Sequence, residues 1–106
     1  MKQFLYKITP TRLGMVEDEP TGKEAAIVKE HFRYLTSLTE KGIVLVFGRT
    51  QNNDANTFGI TIFRAESESE ARSIVQNDPA VRKGVMHSEL YPYKVAGLNT
   101  RDWEAD

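Results

Sequence analysis

Two helix-start signals, set far apart among strand-like segments, most constrain how this chain can fold. The first is Thr21-Gly22-Lys23-Glu24, a capping box in which the hydroxyl accepts the amide of the third helical residue and the carboxylate reaches back. This helix is expected to end at Gly42, because glycine readily adopts the conformation of a C-terminal cap. Ser67-Glu68-Ser69-Glu70 is a second capping box, and it predicts a short helix that ends at Asp78, before Pro79.

Four segments outside these helices have the composition of β-strands. They are rich in aromatic and β-branched residues and are flanked by turn-forming residues. They cover residues 4–8, 43–47, 58–64 and 85–95, the last interrupted at Pro92. The order β, α, β, β, α, β is the split βαβ pattern of a ferredoxin-like α+β fold, with an antiparallel sheet and both helices on one face.

One face of the predicted sheet has no helix over it. Residues 43–47 form an unbroken apolar run, so both faces of this strand are expected to be buried. In the next strand, Ile60 and Ile62 share one face while Thr61 and Phe63 share the other. Two helices cannot cover two faces, and a second copy of the chain is the simplest cover. We therefore expect a homodimer in which the two sheets face each other.

Composition limits the chain to one domain and excludes several classes of partner. We expect a single domain over residues 1–106, with a core at about 1–96 and a tail that holds Trp103. Lys plus Arg number 14 against 15 Asp plus Glu, and no basic run is dense enough for a nucleic-acid backbone. Cysteine, a signal-peptide core and a membrane-spanning apolar run are all absent from the sequence. The sequence thus predicts a cytoplasmic protein that binds neither nucleic acid nor a membrane.

A histidine on the apolar face of the first helix is the leading candidate for chemistry. His31 projects to the same side as Ile27 and Leu35, because residues three and four apart share a helix face. Imidazole changes charge near neutral pH, so an inward ring can act as a base. Such a histidine is also often a hydrogen-bonded core residue, and this alternative stays open. Asp78 either caps a helical turn that begins at Pro79, or orients the imidazole, or does both.

Three further residues are candidate ligand contacts. Arg49 ends a strand beside a glycine, where its guanidinium either binds a carboxylate or enolate oxygen or is simply solvated. Ser88 and Tyr6 are candidate hydrogen-bond donors, although hydroxyls in strands are often ordinary polar positions. Two histidines on separate elements, without clustered carboxylates, make a poor metal site, so neither a metal nor a cofactor is expected. Residues 11–20 are either a mobile lid over the pocket or an insertion.

The most distinctive short segments resemble one protein family. They are His31-Phe32-Arg33-Tyr34-Leu35, Gly42 before an apolar strand, Gly48, Ala65-Glu66-Ser67-Glu68-Ser69-Glu70-Ala71-Arg72, Asn77-Asp78-Pro79-Ala80 and Gly84-Val85. Their order and spacing, from Tyr6 to Tyr93, are similar to those of the YciI-like (YCII-related) family. The resemblance implies a dimeric α+β barrel of ferredoxin-like halves, related to the muconolactone-isomerase type. It also implies a histidine–aspartate active site, which maps onto His31 and Asp78.

Function within that family is mostly unassigned, so two hypotheses of different classes follow. One family member removes hydrogen chloride from a chlorinated hydroxyquinone, which implies lyase or isomerase chemistry on small cyclic molecules. In the first hypothesis the chain is a cofactor-independent enzyme in which His31 is the general base and Asp78 orients it. In the second it is a non-catalytic small-molecule-binding or interaction module. Many family members carry Gly-Pro where this chain has Gly48-Arg49, so the resemblance does not define the shape and charge of its pocket mouth.

Overall fold

The strands and long helices follow the predicted order, with two short helices in addition. The computed structural model describes residues 1–101; Trp103, in the predicted tail, lies outside them. The elements are β1 (Lys2–Pro10), α1 (Gly14–Glu17), α2 (Gly22–Glu40), β2 (Val44–Arg49), β3 (Gly59–Ala65), α3 (Glu68–Gln76), α4 (Pro79–Arg82) and β4 (Met86–Tyr93). Helix α1 lies within the segment predicted to be a loop. Among residues 1–101, no helix is both long and apolar enough to cross a membrane.

The four strands form one antiparallel sheet in the order β2-β3-β1-β4. The predicted ferredoxin-like α+β fold is thereby confirmed. Strand β2 lies at an edge, and within this single chain one of its faces is buried; burial of the other face by a second copy stays a prediction. Val44 is 2% exposed beneath the helices, whereas Val46 on the opposite face is 44% exposed. The reason is that the helices pack on one face of the sheet and no helix within residues 1–101 covers the other.

Strand β4 also differs from its prediction. It continues through Pro92, which was expected to interrupt it, and Pro92 pairs with Phe4 on β1. Because β4 lies at the other edge of the sheet, it has one neighbouring strand and tolerates a residue without an N–H.

A register shift in β2 directs its side chains toward the helices. Val44 pairs with Phe63 and Phe47 pairs with Thr61, with an irregularity between Val44 and Val46. The extra residue allows Val44 and Phe47 to face the helix layer although they are three positions apart. By alternation, the residue two positions after Phe47 faces the same side. This residue is Arg49, and it therefore lies on the side of the sheet where the candidate site is found.

The core fills the space between the sheet and the two longer helices. Phe63 lies at its centre, with its ring centroid 5.9 Å from that of Phe4 and 5.7 Å from that of Tyr6. Helix α2 adds Leu35 and helix α3 adds Val75 to the same cluster. Burial of each large apolar side chain contributes about 1.5–3 kcal/mol, so this cluster fixes both helices on the sheet.

Capping residues set the ends of the helices. Thr21 Oγ1 accepts the Glu24 amide at 3.1 Å, and the Glu24 carboxylate accepts the Thr21 amide at 2.8 Å, as the capping box predicts. Helix α2 ends just before Gly42, whose φ of 77° is the left-handed conformation expected of a C-terminal cap. Ser67 caps α3 by accepting the Glu70 amide at 3.1 Å, which is the first half of the second predicted box.

Candidate active site

The imidazole of His31 points from α2 toward the interior, as helical periodicity predicts. Ile27 and Leu35 on the same helix face are buried in the core. The His31 side chain is 13% exposed and lines a cavity. The imidazole is therefore mostly enclosed by protein and borders the cavity.

Asp78 is fixed by the start of α4. Its Oδ1 accepts the Ala80 amide at 2.9 Å, which makes Asp78 the N-cap of that helix and confirms the capping interpretation of the sequence. Pro79 occupies the first helical position, where a missing N–H costs nothing. The carboxylate is 0% exposed, so its orientation depends entirely on its protein contacts.

The histidine and the aspartate meet directly. Nδ1 of His31 lies 2.8 Å from both Oδ1 and Oδ2 of Asp78. An ionised carboxylate only accepts hydrogen bonds, so Nδ1 carries the hydrogen and donates it. On this ground the neutral ring is the Nδ1–H tautomer, and Nε2, on the far edge of the ring from Asp78, keeps its lone pair. The arrangement can act as a base oriented by a carboxylate.

Tyr6 contacts the same carboxylate from β1. Its hydroxyl donates to Oδ2 of Asp78 at 2.8 Å, and the side chain is fully buried and does not line the cavity. Burial, and after it the negative charge of Asp78, raise the pKa of Tyr6 far above its usual range. The hydroxyl therefore stays protonated as a donor. Tyr6 was predicted to contact the ligand; in the structure its hydroxyl contacts Asp78.

The buried charge of Asp78 is satisfied by three donors from three elements. They are the Tyr6 hydroxyl on β1, Nδ1 of His31 on α2 and the Ala80 amide on α4. An unpaired buried carboxylate would be costly, whereas each hydrogen bond to a charged group contributes about 1.5–3 kcal/mol. Because Asp78 is fully buried, held by these donors and not among the residues that line the cavity, it is suited to orient the imidazole and not to take a proton from a ligand.

A cavity of about 760 Å³ opens beside His31. Small-molecule sites commonly have volumes of about 300–1,000 Å³. The lining is mainly apolar and includes Met15, Val28, Phe32, Phe47, Ile60 and Met86. The rings of Phe32 and Phe47 meet edge to face, with centroids 5.7 Å apart. No group of three or more potential metal ligands occurs within residues 1–101.

The predicted polar contacts separate into one that lines the cavity and two that do not. Arg49 lines it and is exposed; its Nε donates to the Thr50 carbonyl at 2.9 Å and a terminal nitrogen donates to Asn53 Oδ1 at 2.7 Å. Asn53, in the loop between β2 and β3, also lines the cavity. Ser88, on β4, lies opposite Ile8 of β1 and does not line the cavity. Sequence reasoning missed Asn53, because it is one of several polar residues in a loop without a distinguishing pattern.

Residues 11–20 form one wall of the cavity. Met15 of α1 is buried, and both Met15 and Pro20 line the cavity. Arg12 ties the segment to α2, because its guanidinium donates to both carboxylate oxygens of Glu24, at 2.9 and 2.6 Å. The segment thus lies over the site, while its mobility stays a prediction.

Two solved structures are similar to this chain at low sequence identity. The 5-chloro-2-hydroxyhydroquinone dehydrochlorinase (TftG) from Burkholderia phenoliruptrix AC1100, in complex with 2,5-dihydroxybenzoquinone, is 23% identical, with a TM-score of 0.58 over 87% of this chain and 93% of that chain. The de novo designed protein LFR1 1, with a ferredoxin fold, is 14% identical, with a TM-score of 0.42 over 99% of this chain and 96% of that chain. The likeness to the dehydrochlorinase supports the fold assignment. No curated protein sequence matches this chain significantly.

The comparison with protein families agrees with the sequence resemblance. The YCII-related domain matches residues 7–94. This range begins within β1, ends just after β4 and includes both His31 and Asp78. The match covers most of the chain, and the chain therefore belongs to the YCII-related domain family.

Proposed function

We propose that this chain is a small cofactor-independent enzyme of the lyase or isomerase type that acts on a small cyclic or carbonyl-containing molecule. The observation that carries the proposal is the contact at 2.8 Å between His31 Nδ1 and the fully buried Asp78 carboxylate, beside a mainly apolar cavity. An imidazole held in this way presents Nε2 as a general base. Proton transfer to such a base contributes about 10²–10⁴-fold to a rate.

The proposed reaction begins with transfer of a ligand proton to Nε2 of His31. The ring becomes an imidazolium, and the negative charge of Asp78 stabilises it through the Nδ1 contact. In an isomerisation, the imidazolium returns the proton to another ligand atom. In an elimination, the electron pair of the broken bond to hydrogen forms a new double bond while the leaving group departs with its own bonding pair. Neither reaction needs an oxidant or a reductant.

The likeness to a dehydrochlorinase makes elimination of chloride the first reaction to test. That protein is named for 5-chloro-2-hydroxyhydroquinone and its structure contains 2,5-dihydroxybenzoquinone. The cavity of about 760 Å³ in this chain has room for one substituted six-membered ring. A panel of chlorinated hydroquinones and cyclic β-keto compounds is therefore the appropriate set of candidate substrates.

The test measures chloride release and deuterium incorporation from solvent, with the intact chain and this panel. His31→Gln should lower either rate by about 100-fold or more, because the base is removed. Arg72→Gln is the control, since Arg72 is exposed on α3 and pairs with Glu68 away from the cavity. Rates equal in the wild type and in His31→Gln across the whole panel would refute the enzyme proposal.

The alternative is a non-catalytic module that binds a small molecule or a partner. Its support is the capping role of Asp78, whose contact with Ala80 gives the carboxylate a structural purpose without catalysis. Saturable binding of a panel compound in the cavity, without turnover that depends on His31, would favour this module.

We also propose that the chain forms a homodimer through the uncovered face of the sheet. One row of side chains on this face crosses all four strands and consists of Tyr91, Leu5, Ile62 and Val46. Tyr91 and Val46 are each 44% exposed. A second copy packed on this row would bury about 1,500 Å² or more in total, as stable interfaces do. The cysteine-free composition keeps the cytoplasm as the proposed compartment.

A further inference from the structure

The floor of the cavity includes a row of residues that ends in a cation. On the helix-facing side of the sheet, Ile8, Gly59 and Arg49 lie opposite one another on β1, β3 and β2, and all three line the cavity. A Cβ atom at Gly59 would lie 3.0 Å from Ile8 Cγ1 and 3.2 Å from the Gly48 carbonyl oxygen. The Ile8 side chain therefore packs closely against Gly59, and a larger residue at position 59 would have to displace it.

The neighbouring row connects this floor to the histidine. It consists of Tyr6, Thr61 and Phe47 on the same three strands, and Tyr6 is the residue that contacts Asp78. Rows on one face of a sheet are two residues apart, which is about 6.6 Å. The backbone of Arg49 is thus one row along the sheet from the row that leads to His31. This separation is comparable with the span of one substituted six-membered ring.

An aromatic wall stands beside this floor. Phe32 follows His31 on α2, and its ring meets that of Phe47 edge to face with centroids 5.7 Å apart. Both rings line the cavity, although Phe32 is otherwise 60% exposed. Aromatic faces and edges pack preferentially against other planar rings. The aromatic wall, together with the absence of a side chain at Gly59, favours a planar ligand over a puckered one.

Arg49 gives the cavity a single permanent charge. Among the described residues that line it, Arg49 is the one guanidinium, and no carboxylate side chain lines it. Of its five N–H groups, one donates to the Thr50 carbonyl and another to Asn53 Oδ1. The other three N–H groups take no part in these two contacts and can donate to a ligand. The planar fork of a guanidinium matches a carboxylate in shape. Asn53 holds the guanidinium at the cavity rim.

From these observations we propose that the ligand is a planar ring that carries a carboxylate. The carboxylate binds Arg49, the ring lies over Gly59 against the Phe32–Phe47 wall, and the opposite edge of the ring faces His31. Asn53 is a positioning residue that acts through Arg49. This inference rests on the proposed function for one point only, which is that the edge of the ring that faces His31 is the edge that reacts.

The test compares three probes by NMR titration of the intact chain: benzoate, its neutral analogue benzamide, and the puckered cyclohexanecarboxylate. Benzoate should bind about tenfold more tightly than benzamide, which corresponds to about 1.4 kcal/mol, and more tightly than cyclohexanecarboxylate. Arg49→Gln should bring benzoate to the level of benzamide. Asn53→Ala should weaken the binding of benzoate but not that of benzamide, so the ratio of the two affinities should fall. The control Arg72→Gln should leave both affinities unchanged.

The outcomes separate this inference from the proposed enzyme. Equal binding of benzoate and benzamide, a preference for benzoate that survives in Arg49→Gln, or no saturable binding of any probe would overturn the inference. Equal binding of benzoate and cyclohexanecarboxylate would overturn the requirement for a planar ring. In His31→Gln the preference for benzoate should persist, because it depends on Arg49 and not on an imidazolium. A persistent preference together with no turnover in the wild type would refute the enzyme proposal alone.

Discussion

Replacing Tyr6 with phenylalanine tests how the buried charge of Asp78 is held. The change removes the hydroxyl that donates to Oδ2 at 2.8 Å and keeps the ring that meets Phe63 at 5.7 Å. Since a hydrogen bond to a charged group contributes about 1.5–3 kcal/mol, Tyr6→Phe should lower the free energy of unfolding by about 2 kcal/mol near neutral pH. His31 and the Ala80 amide still hold the carboxylate, so the variant should remain folded.

The difference between the two proteins should shrink in alkaline solution. Burial and the charge of Asp78 raise the pKa of Tyr6 in the folded chain above the ordinary value of 10.0. Above pH 10 the unfolded chain therefore binds fewer protons than the folded chain, and the wild type loses stability as the pH rises. One such group contributes a slope of about 1.4 kcal/mol per pH unit. Because Tyr6→Phe lacks this group, the gap should fall from about 2 to about 0.6 kcal/mol at pH 11.

Urea unfolding, followed by circular dichroism between pH 7 and pH 11.5, measures this gap. Tyr34→Phe is the matched comparison, because the Tyr34 hydroxyl donates to the Ile74 carbonyl at 2.6 Å and burial raises the pKa of Tyr34 to about 12. The stability gap between the wild type and Tyr34→Phe should also begin to shrink above pH 10, because folded Tyr34 likewise keeps its proton above the ordinary pKa of 10.0. Protein concentration is held constant, since a dimer makes apparent stability depend on it. Parallel curves for the wild type and Tyr6→Phe above pH 10 would refute the reasoning.

Three further predictions concern the site, the dimer and the segment over the cavity. Asp78→Asn should populate the Nε2–H tautomer of His31 and lower kcat more than it changes KM; an unchanged tautomer in ¹⁵N spectra would contradict the orienting role. Ile62→Lys should convert the proposed dimer into a monomer in light scattering, and a wild-type mass of 12.0 kDa at micromolar concentration would contradict the dimer. Glu24→Gln keeps a capping-box residue but weakens the guanidinium contact, so amide exchange in residues 11–20 should accelerate; wild-type protection there equal to that of the central strands would contradict the expected mobility.

Local signals predicted the elements where one residue type has a strong backbone preference. Thr21 and Gly42 set the two ends of α2, and both preferences act within a few residues of the chain. Helix α1 was missed because it begins at a glycine and has no side-chain cap. It is stabilised by Met15, which packs in one cluster with Ile27 and Ala80. A contact between residues so far apart leaves no trace in the local pattern.

The position of a strand in the sheet and the contacts of the site also depend on residues that are far apart in the sequence. An apolar run such as residues 43–47 indicates a strand but not whether it lies at the centre or the edge of a sheet, so the position of β2 at an edge was not predicted. Alternation directs Tyr6 inward, yet it does not distinguish a cavity contact from a buried one, because both need an inward side chain. The meeting of His31 and Asp78 was expected from the family resemblance, since periodicity gave only the direction of the His31 side chain and Asp78 was singled out by its position before Pro79.

The neutrality of the other donors explains how Asp78 can be both a helix cap and an orienting group. In the sequence, His31 lies 47 positions from Asp78 and Tyr6 lies 72 positions from it. The carboxylate therefore connects α2, β1 and α4 only in the folded chain. The Tyr6 hydroxyl and the Ala80 amide fix its position without adding a positive charge. A lysine in place of Tyr6 would instead place a positive charge beside the carboxylate and offset its negative charge. With neutral donors, the negative charge of Asp78 stays available to stabilise the imidazolium of His31 when Nε2 takes a proton.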